Sequence, residues 1–118
     1  MNKFEVLFYD LPDGSEPVAD FLDSLDLKMR AKVLKEIGLL EDYGPELREP
    51  YSKSIGDDIF ELRTKLGTDI TRVLYFFFVG RKVILTNGFV KKTNKTPVRE
   101  LELAKERRAD YIERMEKI

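Results

Sequence analysis

The sequence contains no cysteine and no histidine among its 118 residues. Disulfides, thiol nucleophiles and zinc-ribbon sites are thereby excluded, and so is imidazole acid–base chemistry, the usual route to proton transfer near neutral pH. Long apolar runs are also missing. The longest, Val73–Val79, falls far short of the ~20 residues that a membrane-spanning helix needs. At the N-terminus Lys3 and Glu5 bracket only a short apolar stretch, so no leader is expected and a soluble cytoplasmic protein is the default reading. Gly80 and Gly88 stand alone, without the glycine-rich loop that cradles phosphates. Carboxylates are plentiful but scattered, with no convergent pair suited to metal binding or glycoside chemistry. Neither a metal nor a cofactor is expected.

What is present suffices for a core. The chain is 42% hydrophobic, with eight Phe and five Tyr. A single domain over residues 1–118 should bury roughly 60–70% of the surface its unfolded chain exposes, enough to fold without a staple. No repeat, low-complexity segment or linker interrupts it. The net charge of −1 hides a strong polarisation. Residues 59–99 hold nine bases against two acids, a net +7, whereas residues 1–58 hold seven against fourteen, a net −7. The remaining tail is near neutral, with five bases and six acids. A basic segment of strand-forming sequence is a surface that a polyanion would approach, so nucleic acid is the first partner to consider.

The pattern predicts a strand over Phe4–Tyr9, ended by the turn Leu11-Pro12-Asp13-Gly14. Ser15 is placed to cap a short helix with Pro17 in its first turn and Val18, Phe21, Leu22 and Leu25 on one side. Asp26 is the expected cap of a second helix, Leu27–Tyr43, with a stripe of Leu27, Ala31, Leu34, Ile37 and Leu40, broadened by Val33. Gly44-Pro45 stops it, and residues 46–58 read as a loop. Strands follow over Ile59–Thr64, Ile70–Val79 and Lys82–Val90, joined by turns at residues 66–69 and at Gly80-Arg81. Thr96 caps and Pro97 opens a last helix with Leu101, Ala104, Tyr111, Ile112 and Met115 along one side. The expected fold is α+β, ordered β-α-α-β-β-β-α, an antiparallel sheet with helices mainly on one face.

Strand parity sharpens the functional reading. If Phe60 and Leu62 face the helices, Glu61 and Arg63 face the other way, and Arg72 joins them rather than being buried without a partner. The last strand leads into Lys91, Lys92 and Lys95, so two arginines and three lysines would meet at one edge of an open, concave sheet. Spacing leaves two readings open: a phosphate-binding cluster, or a solvated basic face in which Arg63 pairs with Glu61. The aromatic run Tyr75-Phe76-Phe77-Phe78 reads as core rather than as a stacking platform for bases. The alternating charges of the last helix mark an exposed stripe on which a partner could dock.

Three strings, Phe60-Glu61-Leu62-Arg63, Arg72-Val73-Leu74-Tyr75-Phe76-Phe77 and Gly88-Phe89-Val90-Lys91-Lys92-Thr93-Asn94-Lys95-Thr96-Pro97, together with the element order, resemble the HigB branch of the RelE/ParE toxins, which includes phage-derived relatives. The resemblance implies the toxin of a type II toxin–antitoxin pair. Such a toxin occupies the ribosomal A site, cuts mRNA there without a metal, and is neutralised by a helix-turn-helix, HigA-like antitoxin in a hetero-oligomer. It also implies site residues. Arg63 and Arg72 would stabilise charge on the phosphorane, because guanidinium is always charged and binds phosphate bidentately. Lys91 or Lys92, its neutral form favoured by like charges nearby, would move the proton. Lys53, Lys65, Thr93 and Lys95 would contact RNA. Many relatives place a catalytic Tyr or His at the chain end; here Tyr111 belongs to the apolar side of the last helix and residues 112–118 hold neither, which leaves the proton donor open. Two other activities fit the same resemblance: inhibition of DNA gyrase, as in ParE-type members, or an inactive phage-derived protein that only pairs with its antitoxin.

Overall fold

The structure is a computed structural model that describes residues 3–92 and 94–117. The chain runs through β1 (Glu5–Phe8), α1 (Pro17–Ser24), α2 (Leu27–Tyr43), a 3₁₀ turn at Gly44–Glu46, then β2 (Ser52–Gly56), β3 (Ile59–Leu66), β4 (Asp69–Phe78), β5 (Lys82–Val90) and α3 (Val98–Glu116). The five strands form one mixed sheet in the order β1-β5-β4-β3-β2. Strands β2 to β5 are an antiparallel meander, and β1 lies parallel to β5. The fold is α+β, with one strand more than the sequence suggests and a parallel edge in a sheet expected to be wholly antiparallel. The additional strand is β2. Its SKSIG sequence has a single large apolar residue, Ile55, as befits an exposed edge, and the Asp57-Asp58 turn that folds it onto β3 has both residues at positive φ.

Alternation along the strands divides the core in two. Leu62, Val73, Tyr75, Val83 and Leu85 point to one face, where Val18 and Leu22 of α1 and Met29, Val33, Ile37 and Leu40 of α2 cover them. Ile59, Leu74, Phe76 and Ile84 point to the other and meet Ala104 and Tyr111 of α3. Two helices share a face as expected, but α3 covers the side that was expected to stay open. The aromatic run is core on both sides. Tyr75 and Phe77 pack with Phe60, while Phe76 and Phe78 meet Tyr111 edge to face.

Asp26 caps α2 as expected, its carboxylate accepting from the Met29 N–H at 2.9 Å. The buried stripe of α2 nevertheless runs through Met29, Val33, Glu36, Ile37 and Leu40, leaving Leu27 76% and Leu34 48% exposed. Steps of three residues from Leu34 drift around a helix of 3.6 residues per turn, so the expected stripe could not stay on one side. Ser15 does not cap α1. Its N–H and hydroxyl both donate to Asp13, and Glu16 occupies the cap position. At the end of α2, Gly44 has φ +52°, and a Cβ there would collide with the Phe4 ring. Gly44→Ala is therefore expected to cost at least about 1–3 kcal/mol, read as a lower urea midpoint at unchanged m-value. Among the described residues no helix is long and apolar enough to cross a membrane.

Candidate functional site

Arg63 of β3 and Arg72 of β4 are paired directly across the ladder and share the α3 face of the sheet. Their environments differ. The Arg63 side chain is 28% exposed, whereas Arg72 is only 4% exposed as a whole residue. Between them lies Glu61, two residues before Arg63 and hence on the same face. A single oxygen, Oε2, sits 3.6 Å from Arg63 Nε and 3.5 Å from Arg72 Nε. The other oxygen accepts the Thr96 hydroxyl at 2.6 Å. Arg72 also donates from Nη1 to the Thr71 carbonyl at 2.9 Å. Burial pulls the Arg72 guanidinium below its ordinary range, with Arg63 adding to the effect and Glu61 opposing it. Arg72 therefore lies beneath the surface, and the expected pair of solvent-facing arginines reduces to Arg63 alone. Glu49, at the surface, lies 3.9 Å from Arg63 Nη1.

The segment after β5 folds over this centre. The Lys91 N–H donates to the Ile70 carbonyl at 2.8 Å, carrying the β4–β5 ladder one step past Val90. Thr96, expected to cap the last helix, turns its hydroxyl to Glu61 instead, and α3 starts without a side-chain cap. The result is a hollow of about 270 Å³ between β2, β3 and this segment, lined by Lys53, Arg63, Lys91, Asn94 and Lys95, with Glu61 and Thr96 also in its wall. Burial lowers the pKa of Lys91, and Arg72, Arg63 and Lys53 lower it further while Glu61 opposes them.

The candidates thus separate. Lys53, Arg63, Lys91 and Lys95 share the hollow, and Arg72 supports it from below. Lys92 is exposed to solvent, and the hollow is lined by its neighbour Lys91 instead. Lys65 is exposed beyond Arg63 and lines a different groove. Thr93 lies outside the described residues. Two members escaped the sequence reading: Thr96, whose position before Pro97 suggested a cap, and Glu61, treated as a counter-ion to Arg63 and not as the link between both arginines and the loop. The two-residue spacing of Glu61 and Arg63 was the available signal for the second.

Chemically, the arrangement places a solvent-reachable guanidinium in one hollow with an amine whose pKa is lowered. No curated protein matches the chain. Residues 20–109, most of the chain, match the family model described as Phage derived protein Gp49-like (DUF891). That match makes this chain a member of the Gp49-like phage-derived family, a toxin–antitoxin-related family of RelE-like toxins.

Proposed function

We propose that this protein is the toxin of a type II pair and acts as a HigB-like, ribosome-dependent mRNA endonuclease in the cytoplasm. The family implies an antitoxin partner; on this reading it is a helix-turn-helix, HigA-like protein. The observation that carries the proposal is the meeting of Arg63 and Lys91 across one hollow. In the reaction the 2′-hydroxyl attacks the adjacent phosphorus, forming the 2′-O–P bond and breaking the bond from phosphorus to the 5′-oxygen. The leaving 5′-oxygen takes a proton from water, and the products are a cyclic phosphate and a 5′-hydroxyl. Arg63 faces the non-bridging oxygens, where charge accumulates. Lys91 takes the 2′-hydroxyl proton. Arg72 and Glu61 hold Arg63 and the loop in register, and Lys53 and Lys95 attract the flanking phosphates.

Brief induction followed by primer extension on a reporter transcript tests the reading: codon-phased cuts are expected. Loss of supercoiling with intact mRNA would instead favour a gyrase inhibitor, and neither effect a protein that only binds its antitoxin. A pH profile tests Lys91. A base must be neutral, so cleavage should rise with pH as Lys91 loses its proton. Because that group titrates below the ordinary 10.5, the rise should start at correspondingly lower pH. Lys91→Arg keeps the charge but cannot deprotonate, and should flatten the profile.

A further inference from the structure

A second concavity, of about 660 Å³, lies on the other side of Arg63, between α2 and the segment that leads into β2. Its apolar wall is Ala31 and Leu39 from α2 with Pro50 and Tyr51 opposite; α2 supplies Lys35 and Lys32, whose ammonium donates to the Lys65 carbonyl, and Arg63 and Lys65 border the groove from β3. Tyr51 is 41% exposed; among the described aromatic residues only Tyr43, at 52%, is more open. The Tyr51 carbonyl accepts the Arg63 N–H at 2.7 Å, so its backbone is paired with the residue that also lines the hollow. The acids are few. The Glu36 carboxyl is buried and taken up by the Thr64 hydroxyl, and Glu49 lies at the rim beside Arg63.

An open aromatic ring flanked by lysines is how proteins hold single-stranded nucleic acid: the ring stacks on a base and the cations follow the backbone. We propose that this groove is a subsite for single-stranded RNA, in which the base beside the scissile phosphate stacks on Tyr51 and the backbone continues past Lys65, Lys32 and Lys35. The subsite rests on the nuclease reading for its register, since Arg63 belongs to both concavities. A chain entering at the hollow would leave along the groove, and the hollow alone would hold little more than the phosphate it cuts.

The test uses the full chain and a short fluorescent 2′-O-methyl oligouridylate, which cannot be cleaved, with binding read by anisotropy. Tyr51→Ala is expected to weaken binding by about tenfold, the order of a single base–ring stack. Tyr51→Phe should retain wild-type affinity, because stacking uses the ring and not the hydroxyl. Replacing Lys32 and Lys35 by Ala should make the salt dependence shallower by about 0.7 in log–log slope for each phosphate no longer neutralised. Glu49→Gln should tighten binding. Wild-type affinity in Tyr51→Ala overturns the subsite, and so does Tyr51-dependent capture of a polyglutamate peptide by a chain that does not bind the oligonucleotide. Cleavage is read separately. Codon-phased cuts with Tyr51-independent binding would sink the groove and spare the nuclease. Tyr51-dependent binding in a wild-type chain that makes no cuts would do the reverse.

Discussion

Arg63→Ala is expected to lower mRNA cleavage by about 100- to 1,000-fold, the cost of losing one pre-aimed donor to a developing anion. The fold should survive. The side chain is 28% exposed, and Glu61 keeps both Arg72 at 3.5 Å and the Thr96 hydroxyl. Arg63→Lys should recover only part of the activity, since an ammonium meets phosphate as a point charge and not as a fork. The measurement is primer extension with matched protein levels, alongside a thermal melt. Unchanged cut intensities in a folded Arg63→Ala variant would remove the residue from the reaction and with it the proposed mechanism.

Glu61→Ala is expected to destabilise the protein by about 3–5 kcal/mol, the range for breaking a buried pair so that one charge stays behind without its partner. The stranded group is Arg72, which is 4% exposed. The neighbouring Arg63 would add like-charge repulsion. A variant that removes both charges, Glu61→Leu with Arg72→Met, should lose less than Glu61→Ala alone because no ion is then marooned. Urea titrations of the three proteins decide the matter. A loss below about 1 kcal/mol for Glu61→Ala would place the pair in the class of solvent-screened surface bridges, despite its burial. The same variant also releases Thr96, so cleavage should fall further than stability alone explains.

How much of this was legible beforehand depends on which interaction decides each feature. Local rules were enough for α2, where Asp26 and Gly44 mark the ends, and for the face shared by Glu61, Arg63 and Arg72, since side-chain alternation is built into a strand. They failed where a distant segment decides. Parity places Arg72 on a face but says nothing of what covers that face, and α3 with its preceding loop does so. The edge strand β2 has too little apolar sequence to announce itself and exists because β3 offers it a partner. Thr96 had a local role available as a cap and took a long-range one, donating across the fold to Glu61. In the candidate site, the cationic residues were visible as a group, but their division between a hollow and a neighbouring groove arises from the packing of α2 and residues 50–51 around Arg63.

The parallel pairing of β1 with β5, Glu5 beside Lys82 and Phe8 beside Leu85, bears on synthesis. A nascent chain carries its first strand without a neighbour until nearly three quarters of the sequence has been made, and closing so long a separation slows folding. Lys91, Lys95 and Thr96 are added later still. An interrupted translation product that lacks β5 would therefore be acidic, unfinished at its sheet and without the Lys91 and Lys95 that line the hollow.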